Sequence, residues 1–217
     1  MQVDELTSTL RQGIREGLLQ PGQALVQEEL AKRFNVSRIP VRDALLTLAA
    51  EGLVRNRPGG GLAVSQLEAH EVEELYDLRL VLEPSLAEHV IHNASPRAIR
   101  EWRALAARLR DIDVASAQWV EQNYRFHLAM YEAAGRDHTV RLIRSLLDLT
   151  APYSRLFIVS LHQGDGVHDE HDAMVDAIEA GDVERLRATI VAHLRFTRES
   201  VASFLRERET RSPTRML

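Results

Sequence analysis

Asn123 and His127 stand four residues apart within Asn-Tyr-Arg-Phe-His, a spacing that puts both on one face of a helix. His171 opens a second helical pattern, in Glu-His-Asp-Ala-Met-Val-Asp-Ala-Ile-Glu-Ala-Gly-Asp, and His193 lies in the next, in Ala-His-Leu-Arg-Phe. Gly181-Asp182 turns the chain tightly between these two helices, so they run antiparallel. His171 comes ten residues before the turn and His193 eleven beyond it, which sets the two level. One i, i+4 pair plus one histidine from each of two further helices can hold a divalent metal ion in a bundle core. Ordinary polar or core histidines fit the same spacing, and the pattern alone leaves both readings open. Glu170 points about 100° away from His171 on the helix, a poor placement for a general base.

A second group of residues is suited to reading DNA. Arg38 and Arg42 in Ser37-Arg38-Ile39-Pro40-Val41-Arg42 share a helix face, opposite Val41, Leu45 and Leu48. An arginine near the start of such a helix can bond guanine N7 and O6 bidentately in the major groove. Arg55 and Arg57 flank a glycine-rich tip, placed for phosphates or a minor groove. Further along, Arg79 and Glu83 are spaced for an intrahelical ion pair; alternatively Arg79 lines a cavity and meets an anionic effector. Tyr153 and Arg155, just after Pro152, are further cavity candidates.

These side chains need scaffolds. Val3, Leu6, Leu10, Ile14 and Leu18 predict a helix over 3–19, stopped by Pro21-Gly22. A short helix follows from Gln27 to Phe34. Asn35 suits a left-handed turn, and the Ser37 hydroxyl suits a cap on a third helix reaching about Glu51. Two short strands, Leu53–Arg57 and Leu62–Val64, flank the Pro58-Gly59-Gly60-Gly61 turn and predict a β-hairpin. Three helices and a hairpin make a winged helix-turn-helix over 1–66. Beyond a linker at 67–72 the patterns are helical only: 69–92, 96–110, 115–134, 137–162, 168–180 and 183–208. Pro84 and Pro152 are expected to kink or break two of these, and Asp182 to cap another. The fold class is therefore mainly α, a winged helix-turn-helix followed by an all-α helical bundle that binds the effector over 73–208. The tail at 209–217 is expected to be disordered.

Composition limits the function classes. With no cysteine among 217 residues, disulfides, thiolate zinc sites and cysteine nucleophiles are excluded, and the cytoplasm is the expected compartment. No apolar run nears the roughly 18 residues of a membrane span, and no charged-then-apolar leader opens the chain. Residues 1–66 carry a net +1 and the remainder −6, which suggests two domains with different partners.

Pro21-Gly22, Leu25, Glu29-Leu30-Ala31, Val36-Ser37-Arg38-Ile39-Pro40-Val41-Arg42-Asp43-Ala44-Leu45, Leu48 and Glu51-Gly52-Leu53-Val54 together resemble the signature of GntR-family bacterial transcriptional regulators. The resemblance implies DNA contacts from Ser37, Arg38, Arg42 and the wing-tip glycine, Gly59 or Gly60. Regulators of the fatty-acid-responsive type often carry an arginine just before the Glu-Leu pair, where this chain has Glu28. Leu78-Arg79 with Glu83, Asn123 with Phe126-His127, Glu170-His171, Ala177-Ile178, Gly181-Asp182 and His193 resemble the FCD-type helical effector domain of such regulators. That likeness implies a divalent metal, of the Zn, Ni or Mn type, held by Asn123, His127, His171 and His193 beside the effector cavity. Asn123 replaces the commoner aspartate, so the site loses a negative charge and is expected to bind metal less tightly.

The function expected is a ligand-responsive repressor acting on metabolic genes, a homodimer on double-stranded operator DNA, with a small organic acid as effector and no membrane partner. Two alternatives remain at this point. The helical domain could serve only to dimerise a DNA-binding protein, or the chain could be a metal-dependent hydrolase or lyase, which would need a general base beside the metal.

Overall fold

The computed structural model describes the backbone of residues 2–161 and 167–211, and the side chains of 2–153 and 169–210. The chain divides into two compact units, Met1–Leu67 and Glu68–Leu217.

In the first unit α1 (Val3–Arg15) lays Leu6, Leu10 and Ile14 against α3 (Arg38–Ala50), whose Val41, Ala44, Leu45 and Leu48 are all fully buried. Helix α1 stops four residues short of the expected end. Gly17 takes φ 68°, and the Leu19 N–H bonds back to the Gly13 carbonyl at 2.9 Å. Leu19 is thereby buried and Leu18 exposed, the reverse of the periodic reading. Between α2 (Gln27–Phe34) and α3, Asn35 adopts φ 52°. Ser37 occupies the N-cap position with extended backbone, yet its side chain makes no cap hydrogen bond, contrary to expectation. A serine hydroxyl caps only when turned back toward the first-turn N–H groups.

Strands β1 (Val54–Asn56) and β2 (Leu62–Val64) pair antiparallel with Arg55 opposite Ala63. The tip is closed by Arg57 N–H to the Gly61 carbonyl and Gly60 N–H to the Arg57 carbonyl, both 3.0 Å. Segment 23–25 adds a third rung: Leu25 N–H bonds to Leu62 at 2.8 Å and Val64 N–H to Gln23 at 3.0 Å. The wing is thus tied to the helices by backbone as well as by packing.

The second unit is helical throughout its described residues: α4 (Ala69–Ser85), α5 (Ala87–Asn93), α6 (Pro96–Arg110), α7 (Ala117–Glu132), α8 (Asp137–Leu161), α9 (Val167–Glu179) and α10 (Val183–Arg211). The expected linker at 67–72 is shorter, because α4 already begins at Ala69. Glu68 and Glu71 form a reciprocal capping box that starts the helix there, with Glu68 N–H to Glu71 Oε2 at 2.7 Å. The expected tail also starts later: α10 runs to Arg211, and Glu209 Oε1 accepts from the Ala69 N–H at 2.9 Å. The rest of that tail, 212–217, lies outside the described residues. Pro84 falls in the last turn of α4, and the predicted continuous helix breaks at Leu86. Pro152 does not break α8, since it removes one ladder donor from a helix packed on α4 and α7. Asp182 caps α10, its Oδ1 accepting from Arg185 N–H at 2.9 Å. No described helix is long and apolar enough to cross a membrane.

Helix α10 packs along α4 and α9, α7 along α6 and α8, and α8 along α4. This arrangement turns one face each of α4, α7, α8, α9 and α10 toward a common cavity of about 60 Å³.

Candidate functional site

Helix α7 brings Asn123 and His127, α9 brings His171, and α10 brings His193. His127 and His171 are 1% and 0% exposed. Their Nε2 atoms are 3.3 Å apart, and one ring nitrogen from each of the three histidines lies within 4.8 Å of the others. Two nitrogen ligands roughly 2.0–2.1 Å from one ion and subtending a tetrahedral angle stand about 3.3 Å apart, so the imidazole separation suits shared coordination. The Asn123 Oδ1 and His127 Nδ1 atoms are buried without a hydrogen-bond partner. Buried polar atoms are rarely left so, which marks a missing partner at this spot. Burial, then the neighbouring His193 and His171 and finally Arg79, hold the His127 imidazole well below its ordinary range. It is therefore neutral, the form that donates a lone pair to a metal. Phe126, edge-on to His171 with ring centroids 4.8 Å apart, fixes one ring from the side.

Asn123, His127 and His193 all line the cavity, together with Arg79 and Glu170. Arg79 both forms the expected intrahelical pair with Glu83 and lines the cavity. Its Nε donates to Glu83 Oε1 at 2.6 Å, and Nη1 donates to Thr150 Oγ1 at 3.2 Å. The guanidinium carbon also sits 4.7 Å from the centre of the Tyr76 ring. Tyr131 completes the network by donating its hydroxyl to the second Glu83 oxygen at 2.6 Å. Burial, and then the charge of Glu83, push the Tyr131 hydroxyl well above its ordinary range, so it remains a donor.

Glu170 sits closer to the site than its angle on one helix suggests. It lines the cavity, and its Oε2 lies 2.6 Å from His193 Nδ1. The 100° offset from His171 aims it at α10, a neighbour invisible to a single-helix projection. Trp119 is a further residue that spacing did not single out: it lines the cavity, and its buried indole Nε1 has no acceptor. Tyr153 is buried but is not among the residues lining the cavity, because the inward stripe of α8 runs through Leu147, Thr150 and Ala151. The Arg155 side chain lies outside the described residues.

On the first unit every sequence-singled residue is exposed: Ser37, Arg38, Arg42, Arg55, Arg57, Gly59 and Gly60. Arg38 and Arg57 line one groove with Glu28, between the wing and α2. Arg42 is partly engaged by its neighbour Asp43, at 3.0 Å. Gly59 and Gly60 take φ 88° and 100°, and nothing lies within 4 Å of where a side chain would begin. A left-handed tip with no Cβ atoms can approach a phosphate or groove wall closely.

Residues 2–64 match the family model described as bacterial regulatory proteins, gntR family, and residues 74–196 match the FCD domain. The chain is similar to the HTH-type transcriptional regulator BphR of Paraburkholderia xenovorans, 30% identical over 91% of this chain and 82% of that one. It is also similar to the HTH-type transcriptional repressor GlaR of Escherichia coli, 27% identical over 85% of this chain and 89% of the relative. The fold resembles that of E. coli McbR/YncC, with a TM-score of 0.80 at 20% identity, covering 95% and 98% of the two chains. The exposed arginines of a winged helix-turn-helix and the helical domain that follows it in sequence thus have a common explanation: the chain belongs to the GntR family of bacterial regulatory proteins and is a DNA-binding transcriptional regulator with an FCD domain.

Proposed function

We propose that this regulator is a cytoplasmic homodimeric repressor of metabolic genes whose operator affinity is set by a small carboxylate bound in the helical unit, at a divalent ion of the Zn, Ni or Mn type. The observation that carries this reading is the cluster of three convergent imidazoles, His127, His171 and His193, two of which line a cavity together with Arg79 and Asn123, whose Oδ1 is orphaned. Asn123, His127, His171 and His193 would hold the ion, which when bound supplies positive charge for a carboxylate oxygen. Arg79 has three of its five N–H groups outside the two hydrogen bonds described, so its fork can meet the same anion. Trp119 offers an unused donor in the cavity wall. A cavity of about 60 Å³ supports a small effector such as a short hydroxy acid.

On the DNA side Arg38 and Arg42 would read bases or phosphates, Ser37, Arg55 and Arg57 phosphates, and the Gly59-Gly60 tip would enter a groove. Repression is supported by the likeness to a relative named a repressor. An effector alters operator affinity only through its different affinities for the DNA-competent and DNA-incompetent states. Dimerisation is supported by Val81, 70% exposed on α4 beside exposed Leu78, and by exposed Leu142 on the adjacent α8. A Val81→Glu protein is expected to sediment as a monomer; a persistent dimer would move the contact elsewhere.

The central test is a calorimetric titration of short carboxylates against metal-loaded protein, chelator-treated protein and His171→Ala. Affinity is expected only in the first. Equal affinity in all three would sink the metal-anchored reading.

A further inference from the structure

The ligand set Asn123, His127, His171 and His193 carries no negative charge, since it consists of one amide and three imidazoles. A divalent cation in a buried site then lacks the carboxylate that an aspartate at 123 would bring. Glu83 does not line the cavity, and its charge is already paired with Arg79. Among the described residues lining the cavity, Glu170 is the one carboxylate.

Its position is specific. Glu170 Oε2 stands 2.6 Å from His193 Nδ1, and the two side chains are 30% and 11% exposed. A carboxylate oxygen at this distance suits a proton on Nδ1, and a neutral ring so held has its lone pair on Nε2. Consecutive residues of α9 thus do two tasks: His171 meets His127 of α7, and Glu170 turns to His193 of α10. A carboxylate on the far nitrogen of a metal-binding histidine fixes its tautomer and ring orientation and raises its basicity.

We propose that Glu170 is a positioning residue of this metal centre, which holds His193 with Nε2 presented to the ion and supplies from the outer sphere the negative charge that Asn123 lacks. The inference rests on the metal reading of the three histidines. Its test uses the full chain, stripped with a chelator and titrated with Zn²⁺ alone in competition with a coloured chelator. Glu170→Gln, which keeps the shape and loses the charge, is expected to weaken Zn²⁺ binding roughly 10–100-fold while leaving the melting temperature of the stripped protein near that of the wild type. Asn123→Asp is expected to raise Zn²⁺ affinity more in the Glu170→Gln background than in the wild type, a non-additivity that a packing role would not produce. Nitrogen-15 NMR of the stripped wild type is expected to show the Nδ1–H tautomer at His193, a readout independent of how any variant folds. Unchanged Zn²⁺ affinity in Glu170→Gln, or an Nε2–H tautomer at His193, overturns the role of Glu170 and leaves the metal reading standing. No Zn²⁺ binding by the wild type overturns both, and the wild-type arm alone shows which of the two has failed.

Discussion

Arg38, Arg55 and Arg57 stand exposed on the winged unit, whereas Arg79 of the helical unit is 5% exposed and lies against Glu83. The guanidinium is the same; its solvation is not. An exposed arginine keeps its water until a ligand arrives, so the fold does not depend on it. A buried one has already lost that water, and Glu83, Thr150 and the Tyr76 ring must offset the cost within the fold. Under the proposed function, recognition and stability are therefore separable at the exposed arginines and joined in the cavity. A regulator divided this way can change its exposed arginines by surface substitution, while the buried network around Arg79 tolerates little.

The comparison is tested most severely at Glu83. Glu83→Ala leaves Arg79 buried without its counter-charge, with only Thr150 and the Tyr76 ring beside it, and should cost about 3–5 kcal/mol, read from urea unfolding. Replacing Arg79 and Glu83 together by Met and Leu should recover most of that loss while abolishing effector response. A single Glu83→Ala with wild-type stability would break the contrast. The next largest effect is expected at the DNA surface, where Arg38→Ala should cost roughly 1–3 kcal/mol of operator affinity with the melting temperature unchanged. Operator affinity that survives Arg38→Ala and Arg42→Ala together would show that α3 is not the recognition helix. The smallest effect belongs to Arg11, which forms a two-pronged pair with Glu51 at 3.0 and 2.7 Å on the half-exposed surface of the winged unit. Arg11→Ala should cost below about 1 kcal/mol in the same urea assay. A loss there rivalling that at Glu83 would mean that solvation is not what separates the two regions.

The winged unit was largely readable along the chain because its signals are local. Asn35 takes the left-handed turn, the glycine tip takes positive φ, and Val41, Leu45 and Leu48 repeat with the helical period. The misreadings there were also local, in the end of α1 at Gly17 and in the Ser37 hydroxyl. In the helical unit the pattern located the helices and set His171 level with His193, but it misplaced the tail, ran one helix through the break at Leu86, and misjudged two further positions. Tyr153 fell beside the inward stripe of α8, and the linker shortened to a Glu68–Glu71 capping box.

By itself the sequence determined which side chains share a face of one helix, since 3.6 residues per turn is a property of the backbone alone. That was enough to pair Asn123 with His127, Arg79 with Glu83, and Arg38 with Arg42. Only the tertiary structure decided which faces meet. Glu170 shows why: its angle on α9 is legible from the chain, but the significance of that angle depends on α10 lying where Glu170 points. The same holds for Tyr131 and Thr150, which reach the Arg79–Glu83 pair from α7 and α8 across 48 and 71 residues of chain. Such contacts follow from burying several apolar stripes in one core, and each partner's place is set by all the helices packed around it.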